Sequence, residues 1–291
     1  MTGSALVAQI ILNGLMAASI YILVALGLAL VLSIMGIVQM AHGEIYMLGA
    51  YGAYYFCVVL GLHYLLALAI TTLLVGLAGI LIEKIFFRPF RHVEDFLPSV
   101  IMAVGLMIML QTTAIVSFGS SIKVVTTPFR GVITVAGAIL SWERLIVIVI
   151  SVIFVVALFL LLRLTTIGQA MIAVSQNLQG AALQGISADH VSSFAMFFGS
   201  GLAAVAGGLM GAIFNLSPSM GGFALMKGIA VIILGGLGSL PGVVVGGLIL
   251  GFIDGIVPPL MSIQMASLVG FIFIILILIF RPQGIMGRPS Q

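Results

Sequence analysis

No charged side chain occurs before Glu44, and the apolar run over residues 6–32 is long enough to cross a bilayer as one helix. This run constrains the fold more than any other feature of the chain. A hydrocarbon layer of about 30 Å needs about 20 apolar residues in helical form, and it leaves the backbone no alternative except a closed barrel. Further runs of the same kind cover residues 45–60, 64–82, 97–118, 145–162, 191–214 and 264–280, and none alternates polar with apolar residues as barrel strands do. Charged residues make up 6% of the 291, against roughly a quarter in soluble domains, and mean hydropathy is +1.40. That leaves no water-facing domain to hold a conventional active site. A net charge of +3 over the whole length makes no basic patch for nucleic acid. The expectation is an all-α integral membrane protein, a single domain over residues 1–291 built as a polytopic bundle of about eight to ten transmembrane helices. With no basic residue before Lys84, the first run lacks the charged start of a cleaved signal and reads as a retained membrane segment.

Two glycine-rich places interrupt this pattern. Residues 36–55 contain Gln39-Met40-Ala41-His42-Gly43-Glu44 between apolar runs, and residues 221–255 contain Gly235-Gly236-Leu237-Gly238-Ser239-Leu240-Pro241-Gly242. Each half of the chain thus has one broken or re-entrant segment, and paired breaks of this kind point to discontinuous helices around a substrate path. The second reads equally as two short helices or as a re-entrant hairpin. Basic residues give the orientation. Lys84, Arg88, Arg91, Arg163, Arg281 and Arg288 fall on one side, and Lys123, Arg130 and Arg144 on the other. The first side is expected to be cytoplasmic, with residues 86–96, 164–190 and the C-terminus there and the loop 119–142 outside. In that loop, residues 122–125 and 131–136 suggest a hairpin around Pro128, and Trp142 stands where an interfacial anchor would.

The chain has no His-Glu-x-x-His helix, no Gly-x-Ser-x-Gly elbow and no Walker lysine, so neither catalysis nor ATP hydrolysis is expected of it, and no cofactor. Histidines 42, 63, 92 and 190 are too scattered to share a metal, and the lone Cys57 offers no disulfide. Charges within apolar runs cost about 2.5 to 3.5 kcal/mol each at a helix centre, which singles out Glu44, Lys227 and Asp254. Glu44 reads either as a first-turn acid facing the helix dipole or as part of a gate. Lys227 reads as snorkelling from an outer span end or as facing a cavity, Asp254, four residues before Pro258-Pro259, as loop-proximal, and a pairing of the two is left open. Glycines 207 and 211, and 247, 251 and 255, recur every four residues and are expected to seat close helix packing within the chain.

Residues 164–190 carry Met171, Val174, Leu178 and Ala181 at helical spacing, with no charge between Arg163 and Asp189. A membrane-surface helix would want Lys or Arg on its polar face. Docking to a protein partner is therefore favoured over lying on lipid, with a plain interhelical loop as the alternative.

Four segments together, in this order, resemble the membrane permeases of branched-chain amino-acid ABC importers of the LivH type. They are Ala41-His42-Gly43-Glu44 followed by Met47-Leu48-Gly49-Ala50-Tyr51; Ala181-Ala182-Leu183-Gln184-Gly185-Ile186; Leu234 to Gly242; and Phe280-Arg281-Pro282-Gln283-Gly284. The resemblance implies a pore shared with a second permease, cytoplasmic ATP-binding subunits beneath it, a periplasmic or extracellular substrate-binding protein, and a bacterial inner-membrane location. It makes residues 164–190 the coupling segment, with Gln176, Leu178, Ala182 and Gly185 as coupling residues. His42, Glu44 and Asn215 are the expected pathway residues. Related permeases carry urea or short amides, an ion-coupled transporter would use Glu44 or Asp254 as its ion site, and a purely structural assembly subunit would leave uptake unaffected when deleted.

Overall fold

The computed structural model describes residues 3–90, 97–129, 131–135 and 137–287, so Arg91, His92, Arg130 and Arg288 lie outside the described residues. Among the described residues there are eleven α-helices, one two-stranded sheet, and short π- and 3-10-helical segments. The α-helices are α1 (Gly3–Met35), α2 (His42–Tyr54), α3 (Tyr64–Ile82), α4 (Leu97–Phe118), α5 (Trp142–Leu164), α6 (Thr166–Gln176), α7 (Leu178–Leu183), α8 (Ala188–Gly211), α9 (Met220–Gly235), α10 (Leu240–Leu260) and α11 (Ile263–Phe280). The short segments extend α2 over Tyr55–Val59 and α3 over Glu83–Phe87 and Arg88–Phe90. Strands β1 (Val132–Val135) and β2 (Ala138–Ser141) pair antiparallel. Six helices are long and apolar enough to cross a membrane, and two shorter apolar ones, Met220–Gly235 and Met265–Phe280, accompany them.

Helices α1 and α8 form the centre, while α4 and α5 present mostly outward-facing apolar side chains. Without a hydrophobic force between helices in lipid, close packing must come from small residues. Gly247, Gly251 and Gly255 of α10 lie against Ile22, Ala18 and Gly14 of α1, an antiparallel seam in which an added Cβ at Gly251 would stand 2.4 Å from Ala18. The four-residue glycine spacing thus serves packing inside the chain, as expected. Gly207 of α8 seats the backbone of α2 in the same way, and Gly199 of α8 meets Gly27 of α1.

Both interruptions resolve into helix junctions. Residues 36–41 carry no regular structure, and His42, Gly43 and Glu44 already belong to the first turn of α2. The second interruption is a turn at residues 236–239, with Gly236 at φ +106 and Gly238 at φ +81, between α9 and α10. These two helices run antiparallel, with Gly235 on Gly242 and Val231 on Gly246. The prolines Pro258 and Pro259 do not break α10 but fall in its last turns. Their missing N–H groups take the helix bond from the Asp254 and Gly255 carbonyls one turn before the end, and the helix still closes with the Met261 amide on the Val257 carbonyl.

The hairpin departs from expectation. Residues 131–136 do contribute a strand, but its partner is β2 and not residues 122–125. Gly137 at φ +82 permits a two-residue connection between Val135 and Ala138, which a local pairing exploits at little entropic cost. Lys123 instead bridges Leu216. The hairpin is tied to the start of α1, where the Ile139 amide donates to Gln9 Oε1 and Arg144 donates to Asn13.

Candidate functional site

The start of α2 lies deep inside the bundle. Its first residue, His42, is fully buried in the notch left by Gly27 of α1, and its Nε2 lies 3.1 Å from the Val24 carbonyl oxygen. A carbonyl can only accept, so Nε2 carries the proton and Nδ1 is left buried with no partner. Glu44 stands in the first turn, also buried, beside Gly221 in the first turn of α9, so the positive ends of two helices converge on its carboxylate. One of its oxygens has no hydrogen-bond partner, and neither does either side-chain polar atom of the buried Gln39. Each such atom costs about 1–3 kcal/mol. Gln39 opens the interruption noted in the sequence but was not among the expected pathway residues, since an uncharged amide carries no cost signal there.

Asn215 is not part of this cluster. It is exposed in the connection between α8 and α9, at the end of the bundle that carries the hairpin and next to the Lys123 bridge.

The other two charges in the apolar runs find each other. Lys227 lies in the middle of α9, not at a span end, and Asp254 lies within α10. The Lys227 Nζ donates to both Asp254 oxygens, at 3.1 and 2.7 Å, and the Tyr21 hydroxyl of α1 donates to Asp254 Oδ2. The ammonium also stands 5.3 Å from the Tyr21 ring centre and 5.6 Å from that of Phe223. The sequence left Lys227 between a span end and a cavity, Asp254 near a loop and their pairing open, because it could not know that the glycine turn brings α9 back alongside α10. Their spacing across that turn was the one available signal.

At the opposite end from the hairpin, residues 164–190 form two helices where one was expected. Asn177, at φ −155 and ψ 102, ends α6 and caps α7, with the Gly180 amide donating to its Oδ1 at 2.8 Å. Met171, Val174 and Ala181 turn inward, but Leu178 is exposed. Gln176, Leu178, Ala182 and Gly185 are all exposed around this α6–α7 elbow, and Leu183 is 88% exposed. Four residues chosen on sequence are thus brought to one solvent-accessible corner. The corner is joined to the bundle by α8, whose first turns meet the end of α3. There Glu83, fully buried, accepts from Arg88 and from the Ser193 hydroxyl, and Arg88 also donates to Ser193 and reaches toward Asp189.

An all-helical bundle with broken helices inside, mid-membrane polar groups and an exposed elbow at one end is the architecture of a polytopic membrane permease. Residues 10–280 match the family described as branched-chain amino acid transport system / permease component. The chain is 32% identical to the high-affinity branched-chain amino acid transport system permease protein BraD of Pseudomonas aeruginosa, over 97% of this chain and 96% of that one. It is also 32% identical to LivH of Escherichia coli K12 over the same shares. An autoinducer 2 import system permease protein, LsrC of Yersinia enterocolitica, matches over 35% of this chain at 35% identity. The chain belongs to the LivH-type branched-chain amino-acid permease family, the membrane component of ABC transport systems.

Proposed function

We propose that this chain is the pore-forming permease subunit of an ATP-driven importer of branched-chain, apolar amino acids, working by alternating access while partner subunits hydrolyse ATP. The observation that carries the reading is 32% identity over nearly the full length to BraD and LivH, whose names state that substrate class. The geometry is consistent with it. A permease driven by another chain's ATP needs a surface to receive motion, and the α6–α7 elbow offers exposed apolar side chains on a short capped helix. The Glu83–Arg88–Ser193 cluster then passes displacement of α8 to α3. Partners in this reading are a second permease, cytoplasmic ATP-binding subunits, a periplasmic or extracellular substrate-binding protein and the surrounding lipid.

Orientation follows the basic residues. Lys84, Arg88, Arg163 and Arg281 lie at the end that carries the elbow, and Lys123 and Arg144 at the end that carries the hairpin. The elbow and the C-terminus are therefore cytoplasmic, in a bacterial inner membrane, and Asn215 is at the outer face. His42 and Glu44 stand on the substrate pathway, with Asn215 near its outer mouth.

The test is Gly185→Trp in the reconstituted complex. Gly185 stands at φ +80 with open space around it, so a bulky residue meets no neighbour and strains only the backbone of the turn, by roughly 1–2 kcal/mol. The variant is expected in the membrane at normal levels, with ATP hydrolysis no longer linked to leucine uptake. Normal coupled uptake would remove the elbow from the mechanism.

A further inference from the structure

Among the described residues, Lys227 and Asp254 are the charged groups set well inside apolar helices. Glu44 is in a first turn, and the others stand at helix ends or in connections. Their pair is not sealed, since the Lys227 side chain is 9% exposed and that of Asp254 14%. The open side lies along α9. Phe223 and Met226 are half-exposed there, and a Cβ on Gly222 would meet nothing within 4 Å. Gly221, in the first turn of the same helix, touches Glu44, and Lys227 follows less than two turns further along the buried face. Lipid is an unfavourable neighbour for such a pair, because ionisable groups at this depth face a bundle interior or a watered path. Stability does not require it either. The glycine seam already holds α10 on α1, and apolar replacement of a buried ion pair is commonly neutral or stabilising.

We propose that Tyr21, Lys227 and Asp254 form a mid-membrane subsite for the α-ammonium and α-carboxylate of a zwitterionic amino acid. The proposal rests on the amino-acid reading above and assigns the place where the head group is carried. A zwitterion moving into a dry path loses the hydration of two charges at once. At this site the substrate carboxylate takes the Lys227 ammonium and the substrate ammonium takes the Asp254 carboxylate. One ion pair becomes two, and net charge stays zero throughout. The Tyr21 hydroxyl stays on Asp254 Oδ2 and fixes its orientation, while the Tyr21 and Phe223 rings offer faces to the ammonium and to an apolar side chain. When substrate leaves, the internal pair re-forms, so no unpaired charge remains. Urea and short amides carry no charges and gain nothing from such an exchange.

The experiment reconstitutes the complete complex in proteoliposomes with Lys227→Met and Asp254→Leu together, and follows leucine uptake, ATP hydrolysis stimulated by the binding protein, and assembly. The expected result is leucine uptake reduced at least tenfold with stimulated hydrolysis within twofold of the unaltered complex. Leucine uptake within twofold of the unaltered complex overturns the subsite. A separate arm does not depend on that variant assembling. Met226→Cys, in a Cys57→Ala background, is exposed to a membrane-impermeant cationic thiol reagent during turnover, and leucine is expected to slow its modification. Absence of modification in every state of the cycle also overturns the subsite. If the unaltered complex takes up urea or amides but no amino acid, the substrate reading itself fails, a result distinct from either outcome above.

Discussion

At the residue scale, the charged groups inside the apolar helices are given a physical reason by their neighbours. Glu44 is placed where the first turns of α2 and α9 meet, so the positive ends of two helices face its carboxylate. Lys227 and Asp254 neutralise one another, and Tyr21 completes the coordination of the carboxylate. Breaking that arrangement from one side is expected to hurt more than removing it. Lys227→Ala strands Asp254 among apolar helices and should lower stability by about 3–5 kcal/mol. Adding Asp254→Ala should recover part of the loss. Thermal unfolding of the detergent-solubilised protein, compared across both singles and the double, checks this, and equal effects of the single and the double would contradict it.

At the scale of elements, short local signals decide where helices stop. Asn177 splits what the apolar spacing of residues 164–190 suggested was one helix, because its side chain satisfies the Gly180 amide and so competes with continuing the α-helix. Asn177→Ala removes that cap, worth about 1 kcal/mol, and lets α6 run toward α7. The elbow would then point elsewhere. Co-purification of the ATP-binding subunits is expected to fall in this variant, while the amount of chain in the membrane stays constant. The same competition explains the hairpin, where Gly137 makes the nearest possible partner available and residues 122–125 are left for a single bridge. A period-based reading sees apolar faces well and such caps poorly, since a cap is one side chain and a period is many.

At the scale of the whole molecule, the bundle holds together through close backbone approach. Gly251→Leu places a side chain where Ala18 already stands and is expected to destabilise the protein by about 3 kcal/mol, seen as reduced recovery in mild detergent and a lower unfolding temperature. An unchanged unfolding temperature would show that α1 and α10 are not joined at this seam. The membrane-spanning character, the approximate positions of the helices and the glycine faces were legible in the sequence. Each depends on hydrophobicity, spacing or local backbone freedom, and such properties are carried by neighbours along the chain. The union of Lys227 with Asp254 and Tyr21, the burial of Gln39 and the separation of Asn215 from His42 and Glu44 were decided by the tertiary structure alone. Those contacts join residues far apart in sequence, and they exist because glycines let α1, α9 and α10 approach at one particular register.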